Sequence, residues 1–202
     1  MKNILLVFLL FLFSCNLKDQ AEELNALRNC TYEILSPDSL YIAHTAVAKL
    51  VGKNGLNLDR AKNLGLAFMQ QNVPLEGVLN FKITNSGSEL AGIKAFDYEV
   101  FIKDQQLNKG SIDQEIKVEP GGGVTIIPVR IQQNIYPLIS EPANLQALRD
   151  FISTDSVKST TITMKIKPSV SVAGKTLSYP GFISVDKELT NKDLLAMLDK
   201  IR

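Results

Sequence analysis

The sequence predicts a mainly β protein, an antiparallel β-sandwich of about seven to nine strands with two or three peripheral helices. Three observations predict it. Apolar and polar residues alternate with period two in separate stretches, most plainly Leu79-Phe81-Ile83, Phe96-Tyr98-Val100 and Ile162-Met164-Ile166. Turn-forming residues punctuate the chain at short intervals, as a hairpin-rich fold requires. Hydrophobic residues make up 45% of 202 residues, enough for one core, and the strand patterns do not alternate regularly with helical ones as in a βαβ array.

Thr31 to Leu35 and Leu40 to Val47 are short β-prone runs separated by the turn signal Ser36-Pro37-Asp38. Asn57 can cap a helix carrying Leu58, Ala61, Leu64, Gly65 and Phe68, which must end before Pro74. Leu79, Phe81 and Ile83 then alternate with Asn80, Lys82 and Thr84, and Asn85-Ser86-Gly87 turns the chain. Phe96 to Ile102 is the next strand, although Phe101 interrupts its polar face. Asp104-Gln105-Gln106 reads as a turn and Ile112 to Val118 as a further strand. Gly121-Gly122-Gly123 opens onto Val124 to Ile131. Pro142 suits the first turn of a second helix with Leu145, Leu148 and Ile152 on one face. Ile162 to Val172 is the cleanest strand, and Leu177 to Tyr179 and Phe182 to Val185 complete the set. Thr190 with Asp193 three residues later resembles a capping box for a terminal helix bearing Leu194, Leu198 and Ile201. No composition shift divides Cys30 from Val185, so residues 30–186 read as one domain, with a C-terminal helix over 187–202.

The N-terminus carries the most specific signal. Lys2 precedes an unbroken apolar run, Ile4 to Phe13, of signal-peptide size. A spanning helix needs ~20 such residues. The run ends in Leu12-Phe13-Ser14-Cys15, which resembles the lipobox of bacterial lipoproteins. Residues 1–14 are then a signal peptide, and Cys15 is the lipidation site, followed by a polar tether through residue 29. Phe13 departs from the small residue usual at its position. The resemblance implies attachment in the bacterial cell envelope, at the outer membrane or the periplasmic or surface face, through N-terminal acyl chains. One chain binds a membrane marginally, whereas two or more hold firmly.

Several chemistries find little footing. The 22 basic residues lose Lys2 with the signal peptide, leaving 21 against 21 acidic ones, a balance that argues against nucleic acid. With Cys15 acylated, Cys30 is expected as a free, buried thiol rather than half of a disulfide. His44 is the single histidine, too few for a histidine metal site, and reads as a core or edge residue within a strand. Gly174-Lys175-Thr176 lacks the upstream glycine of a phosphate loop, since position 169 is Ser169, and reads as a tight turn. Gly121 to Gly123 suit a hairpin or bulge better than a ligand loop. Asp97 and Glu99 share one strand face at a spacing of ~7 Å, within reach of acid–base work, but charges opposite an apolar face are what a half-exposed strand shows. Tryptophan is absent and aromatics total 7%, which disfavours stacking platforms. No catalytic residue, cofactor or metal is assigned.

One family shares the order of features between Leu40 and Gln132. Val73-Pro74-Leu75 leads into a strand and an Asn-bearing turn, then Phe96-Asp97-Tyr98 in a long strand, Gly110 after the next turn, and Ile127-Pro128-Val129. This resembles the water-stress and hypersensitive-response domain of atypical (type 2) late-embryogenesis-abundant (LEA) proteins. The resemblance implies a seven-stranded fibronectin-III or immunoglobulin-like sandwich, no cofactor, no catalytic residues and a link to desiccation tolerance. Its bacterial members are often lipoproteins, and Lys165-Ile166-Lys167-Pro168 and Tyr179-Pro180-Gly181 look like their tail. Asn85-Ser86-Gly87 departs from the family's Asn-Pro-Asn while keeping a residue tolerant of positive φ. Three expectations follow: a non-enzymatic, lipid-anchored envelope module protective in desiccation or osmotic stress; an adaptor for an envelope protein or glycan; or a carrier of a small apolar ligand.

Overall fold

Two antiparallel sheets face each other across one core in the computed structural model, which describes residues 22, 25–52, 55–56, 62–152, 156–172 and 175–200. A 3-10 turn, Leu27–Asn29, leads into β1 (Cys30–Ile42), β2 (Thr45–Ala46), α1 (Val47–Leu50), β3 (Val51–Gly52) and β4 (Gly55–Leu56). There follow α2 (Lys62–Met69), β5 (Pro74–Asn85), β6 (Ala91–Ile93), β7 (Ala95–Ile102), β8 (Gln105–Ile112), β9 (Ile116–Val118) and β10 (Gly123–Asn134). The chain continues through α3 (Tyr136–Ile139), α4 (Pro142–Ile152), β11 (Ser159–Val172), β12 (Lys175–Ser178), β13 (Ile183–Thr190) and α5 (Asn191–Lys200).

The first sheet runs β10-β5-β1-β2. The second runs β8-β7-β11, with β13 and β12 both pairing with β11. Alternation puts Leu79, Phe81 and Ile83 of β5 into the core against Phe96, Tyr98 and Val100 of β7 and Met164 and Ile166 of β11. These strands lie where period two predicts them.

Proline placement follows the ladders. Pro168 sits inside β11, where β13 pairs up to Ile166 and β12 takes over at Ser169. Its carbonyl accepts from Tyr179 N–H at 2.7 Å, so its missing N–H falls in the gap between those two partners. Pro128 lies on the edge strand β10 and shares the parity of Arg130, whose carbonyl points away from β5 to side chains of the other sheet. Pro128 therefore removes no ladder bond, and Pro168 forfeits at most the one reciprocal to its bond from Tyr179.

Five expectations are corrected. Ser36-Pro37-Asp38 does not end a strand: β1 runs through it, and the surplus residues are absorbed by register shifts between Ile34 and Pro37 and between Asp38 and Tyr41. Leu40 to Val47 is not one strand but the end of β1, a tight turn with Ala43 and His44 at positive φ (48° and 59°), β2 and the start of α1. Gln105 and Gln106, expected in a turn, open strand β8 (Gln105–Ile112), and the strand expected over Ile112 to Val118 is broken at Asp113 to Glu115, leaving only β9. The terminal helix starts at Asn191, because β13 runs on to Thr190. Asn57, Leu58 and Ala61, expected to open α2, lie outside the described residues, as do Gly174 and Ile201.

The topology gives the sandwich two unlike ends. α1, α2, α3 and α5 all adjoin the end where β1 finishes and β5 begins, or where β10 and β13 finish. The other end is built from loops, with the small β6–β9 ribbon buried beneath them. Cys30, paired with Asn85, enters at the loop end.

Candidate functional site

Cys15, the expected lipidation residue, lies outside the described residues, as do the apolar run before it and most of the expected tether. The structure does show where the expected tether gives way to the fold. Leu27 is fully buried in the core and Ala26 nearly so. The Leu27 carbonyl accepts from the Tyr32 hydroxyl at 2.6 Å, and the Tyr32 ring stacks on Phe81 with centroids 5.9 Å apart. Residues 26–29, expected as tether, are therefore part of the fold.

Around that entry point the loops are tied together by Asn85. This residue is fully buried at the end of β5. Its Nδ2 donates to the carbonyls of Glu89 (2.7 Å) and Val118 (3.0 Å), and its Oδ1 accepts from Gly87 N–H at 3.0 Å. The N–H groups of Gly121 and Gly122 donate to the carbonyls of Gly87 and Asn85 at 2.9 and 2.7 Å. Both glycines have positive φ, and a Cβ on Gly123 would run into the Glu119 carbonyl. The glycine run is thus a turn clamped to the Asn85 loop. Sequence reasoning recognised the turn at Asn85 but not the side chain that organises it; an Asn at the end of an alternating strand, before Ser-Gly, was the available signal.

Two further asparagines work similarly at other ends. Asn134 Oδ1 accepts from Val73 and Tyr136 N–H groups at 2.8 and 3.0 Å. Buried Asn191 accepts from Lys158 N–H at 3.1 Å and donates to the Ser156 carbonyl at 2.9 Å, fixing the approach to β11.

The residues weighed for chemistry are placed as follows. Asp97 and Glu99 stand on the outer face of β7, directly across from Lys167 and Lys165 on β11. Such opposite-charge pairs stabilise a sheet face. Lys165 Nζ also lies 4.6 Å over the Phe101 ring, so the aromatic that interrupted this face serves as a cation platform. His44 is in the turn after β1 rather than in a strand; its side chain is exposed and its Nδ1 lies 3.8 Å from Glu76 Oε1. Cys30 is a free, buried thiol that donates to the Ala26 carbonyl at 3.5 Å, and burial pushes its pKa up, away from nucleophilic use. Among the described residues no cluster of three or more His, Cys, Asp or Glu could hold a metal ion, and no helix is long and apolar enough to cross a membrane.

No family model matches the chain, and no curated protein matches it. Among solved structures it is similar to a protein from Archaeoglobus fulgidus at 13% identity and a TM-score of 0.37, covering 77% of this chain and 97% of that one. It is also similar to a candidate LEA protein in solution at 13% identity and a TM-score of 0.36, covering 88% and 83%. A third is an Arabidopsis thaliana protein in solution, at 15% identity and a TM-score of 0.34, covering 58% and 70%. The sandwich is established by the strand order and register above, not by these likenesses.

Proposed function

We propose that this chain is a non-enzymatic β-sandwich module of the bacterial cell envelope, held at a membrane by acyl chains on Cys15 and protective in desiccation or osmotic stress. The observation that carries the anchor is Leu12-Phe13-Ser14-Cys15 closing the apolar run from Ile4. The stress role rests on the sequence resemblance between Leu40 and Gln132. The polar inventory fits a structural module: Asp97 and Glu99 face lysines, and Asn85, Asn134 and Asn191 are spent on holding loops. Metabolic labelling with palmitate tests the anchor; the wild-type protein takes up label and Cys15→Ser stays an unlabelled precursor. A labelled Cys15→Ser protein overturns it. Deleting the gene tests the role: unchanged survival after drying and osmotic shock removes the stress function and leaves the anchor standing.

A further inference from the structure

We infer that the outward-facing apolar residues Val124 and Ile126 of β10 rest on the lipid surface, so that the sandwich stands with its loop end on the bilayer and its helical end away from it. The inference rests on the proposed acylation of Cys15 and adds an orientation and a second contact to it.

Three observations carry it. The first is the reach of the tether. Ten residues, Asn16 to Asn25, separate Cys15 from Ala26, where the chain becomes buried. Fully extended they span at most ~36 Å, and less in any other conformation. The second is where the chain enters. Leu27 and Cys30 lie at the loop end, whereas α2 follows β1's far terminus, a strand length of about 40 Å away. The anchor therefore draws the loop end, not the helical end, towards the membrane.

The third is what that end exposes. Thr84 pairs with Thr31 on one side and Val124 on the other, which sets Val124 two strand spacings, ~10 Å, from the start of β1. Val124 and Ile126 are 54% and 52% exposed, on the face opposite the core, and Pro128 continues their row. The row meets no charge of its own before Arg130. The cation beside Ile126, Lys82, is paired to Glu33 at 2.8 Å, leaving no net charge there to hold the row off a lipid surface. An edge strand with apolar residues facing solvent is ordinarily avoided. Within tether reach of a bilayer, the same residues gain an apolar neighbour, and a second weak contact adds to the acyl anchor by proximity.

The test uses the full-length acylated protein in phosphatidylethanolamine–phosphatidylglycerol vesicles, some carrying nitroxide-labelled acyl chains. Ile126→Cys and Leu66→Cys variants are labelled with an environment-sensitive fluorophore; Leu66, on α2, is 59% exposed and serves as the distal reference. Cys30 is buried, so unsubstituted protein gives the blank. The label at 126 is expected to shift to the blue and lose intensity to the nitroxide lipids, while the label at 66 does neither. A water-like, unquenched label at 126, or equal quenching at both positions, overturns the orientation. Flotation of the same samples separates the two ideas: protein that does not float with vesicles refutes the anchor, whereas floating protein with an unquenched 126 label refutes only the contact.

Discussion

The ring of Tyr98 lies directly over Gly110, so close that a Cβ on Gly110 would stand 2.7 Å from the phenolic oxygen and 2.9 Å from Cζ. The two residues face each other across β7 and β8, and the missing side chain lets the tyrosine reach across the sandwich. There its hydroxyl donates to the Arg130 carbonyl on β10 at 3.2 Å, joined by Asn108 Nδ2 at 3.3 Å. One glycine thereby allows the two sheets to be bonded at an edge that would otherwise be open.

Gly110→Ala should therefore destabilise the fold by about 1–3 kcal/mol, the usual cost of forcing a methyl into packed space. Tyr98→Phe should cost less, ~1 kcal/mol, because Asn108 still satisfies the Arg130 carbonyl. Urea unfolding measures both. The double variant should lose less than the sum, since the displaced ring and the lost hydroxyl are one interaction. Strict additivity would separate the glycine from the tyrosine's cross-sheet bond.

Asn85→Ala is expected to be the costlier change at the loop end, roughly 2–4 kcal/mol. It strips donors from the buried Val118 carbonyl and from Glu89, and the acceptor from Gly87 N–H. A change of under 0.5 kcal/mol in the urea midpoint, converted through the m-value, would show that the clamp is redundant.

Alkaline pH should weaken the protein in two stages. Burial raises the Cys30 thiol above its ordinary pKa, and burial, then the nearby Cys30 and Tyr179 groups, raise the Tyr32 phenol. A raised folded-state pKa gives stability that is complete below the unfolded value and lost as pH climbs. The decline should begin above pH ~8.5, from Cys30, and steepen above ~10, from Tyr32 and the likewise buried Tyr98. Cys30→Ala should remove the first stage and Tyr32→Phe should flatten part of the second. A urea midpoint constant from pH 8 to 11 would contradict the burial of all three groups.

How far the fold was legible depended on which force set each element. β5, β7 and β11 are central, packed on one face, and their alternation is visible. β8 is an edge strand, Gln105-Gln106-Leu107-Asn108-Lys109-Gly110, with a bulge opposite Val100 and Phe101 that buries adjacent Leu107 and Asn108, so no period-two pattern forms. In β1 the Ser36-Pro37 turn signal is real local chemistry, overridden because β5 supplies a partner on both sides of the bulge. Asn85 was legible as a turn residue, with Gly87 and Glu89 within four residues of it, but not as a hub, because its bond to Val118 is set by tertiary contact. The candidate site divides the same way: the proposed anchor at Cys15 is a local motif, readable without a fold, whereas the proposed orientation on a membrane needs Leu27's burial and β10's register.

The capping box was legible because its chemistry is local. Thr190 Oγ1 accepts from Asp193 N–H at 3.0 Å, while Asp193 Oδ2 accepts from Thr190's N–H at 3.1 Å and its hydroxyl at 2.6 Å. Asp is one carbon shorter than the usual Glu yet closes the reciprocal pair. The Thr190 hydroxyl bond, then its main-chain N–H, hold the Asp193 carboxyl below its ordinary pKa, with Lys187 assisting. A lowered folded-state pKa gives stability that is present above the unfolded value, near 3.9, and lost as pH falls through the folded one. Asp193→Asn should therefore shrink the loss of stability between pH 5 and 3, leaving the part that Glu33, lowered by Lys82, contributes. Thr190→Val should shrink it similarly while also fraying the start of α5, seen as faster amide exchange at Lys192 and Asp193. Unchanged acid limbs in both variants would mean that this box closes in geometry without coupling to the fold.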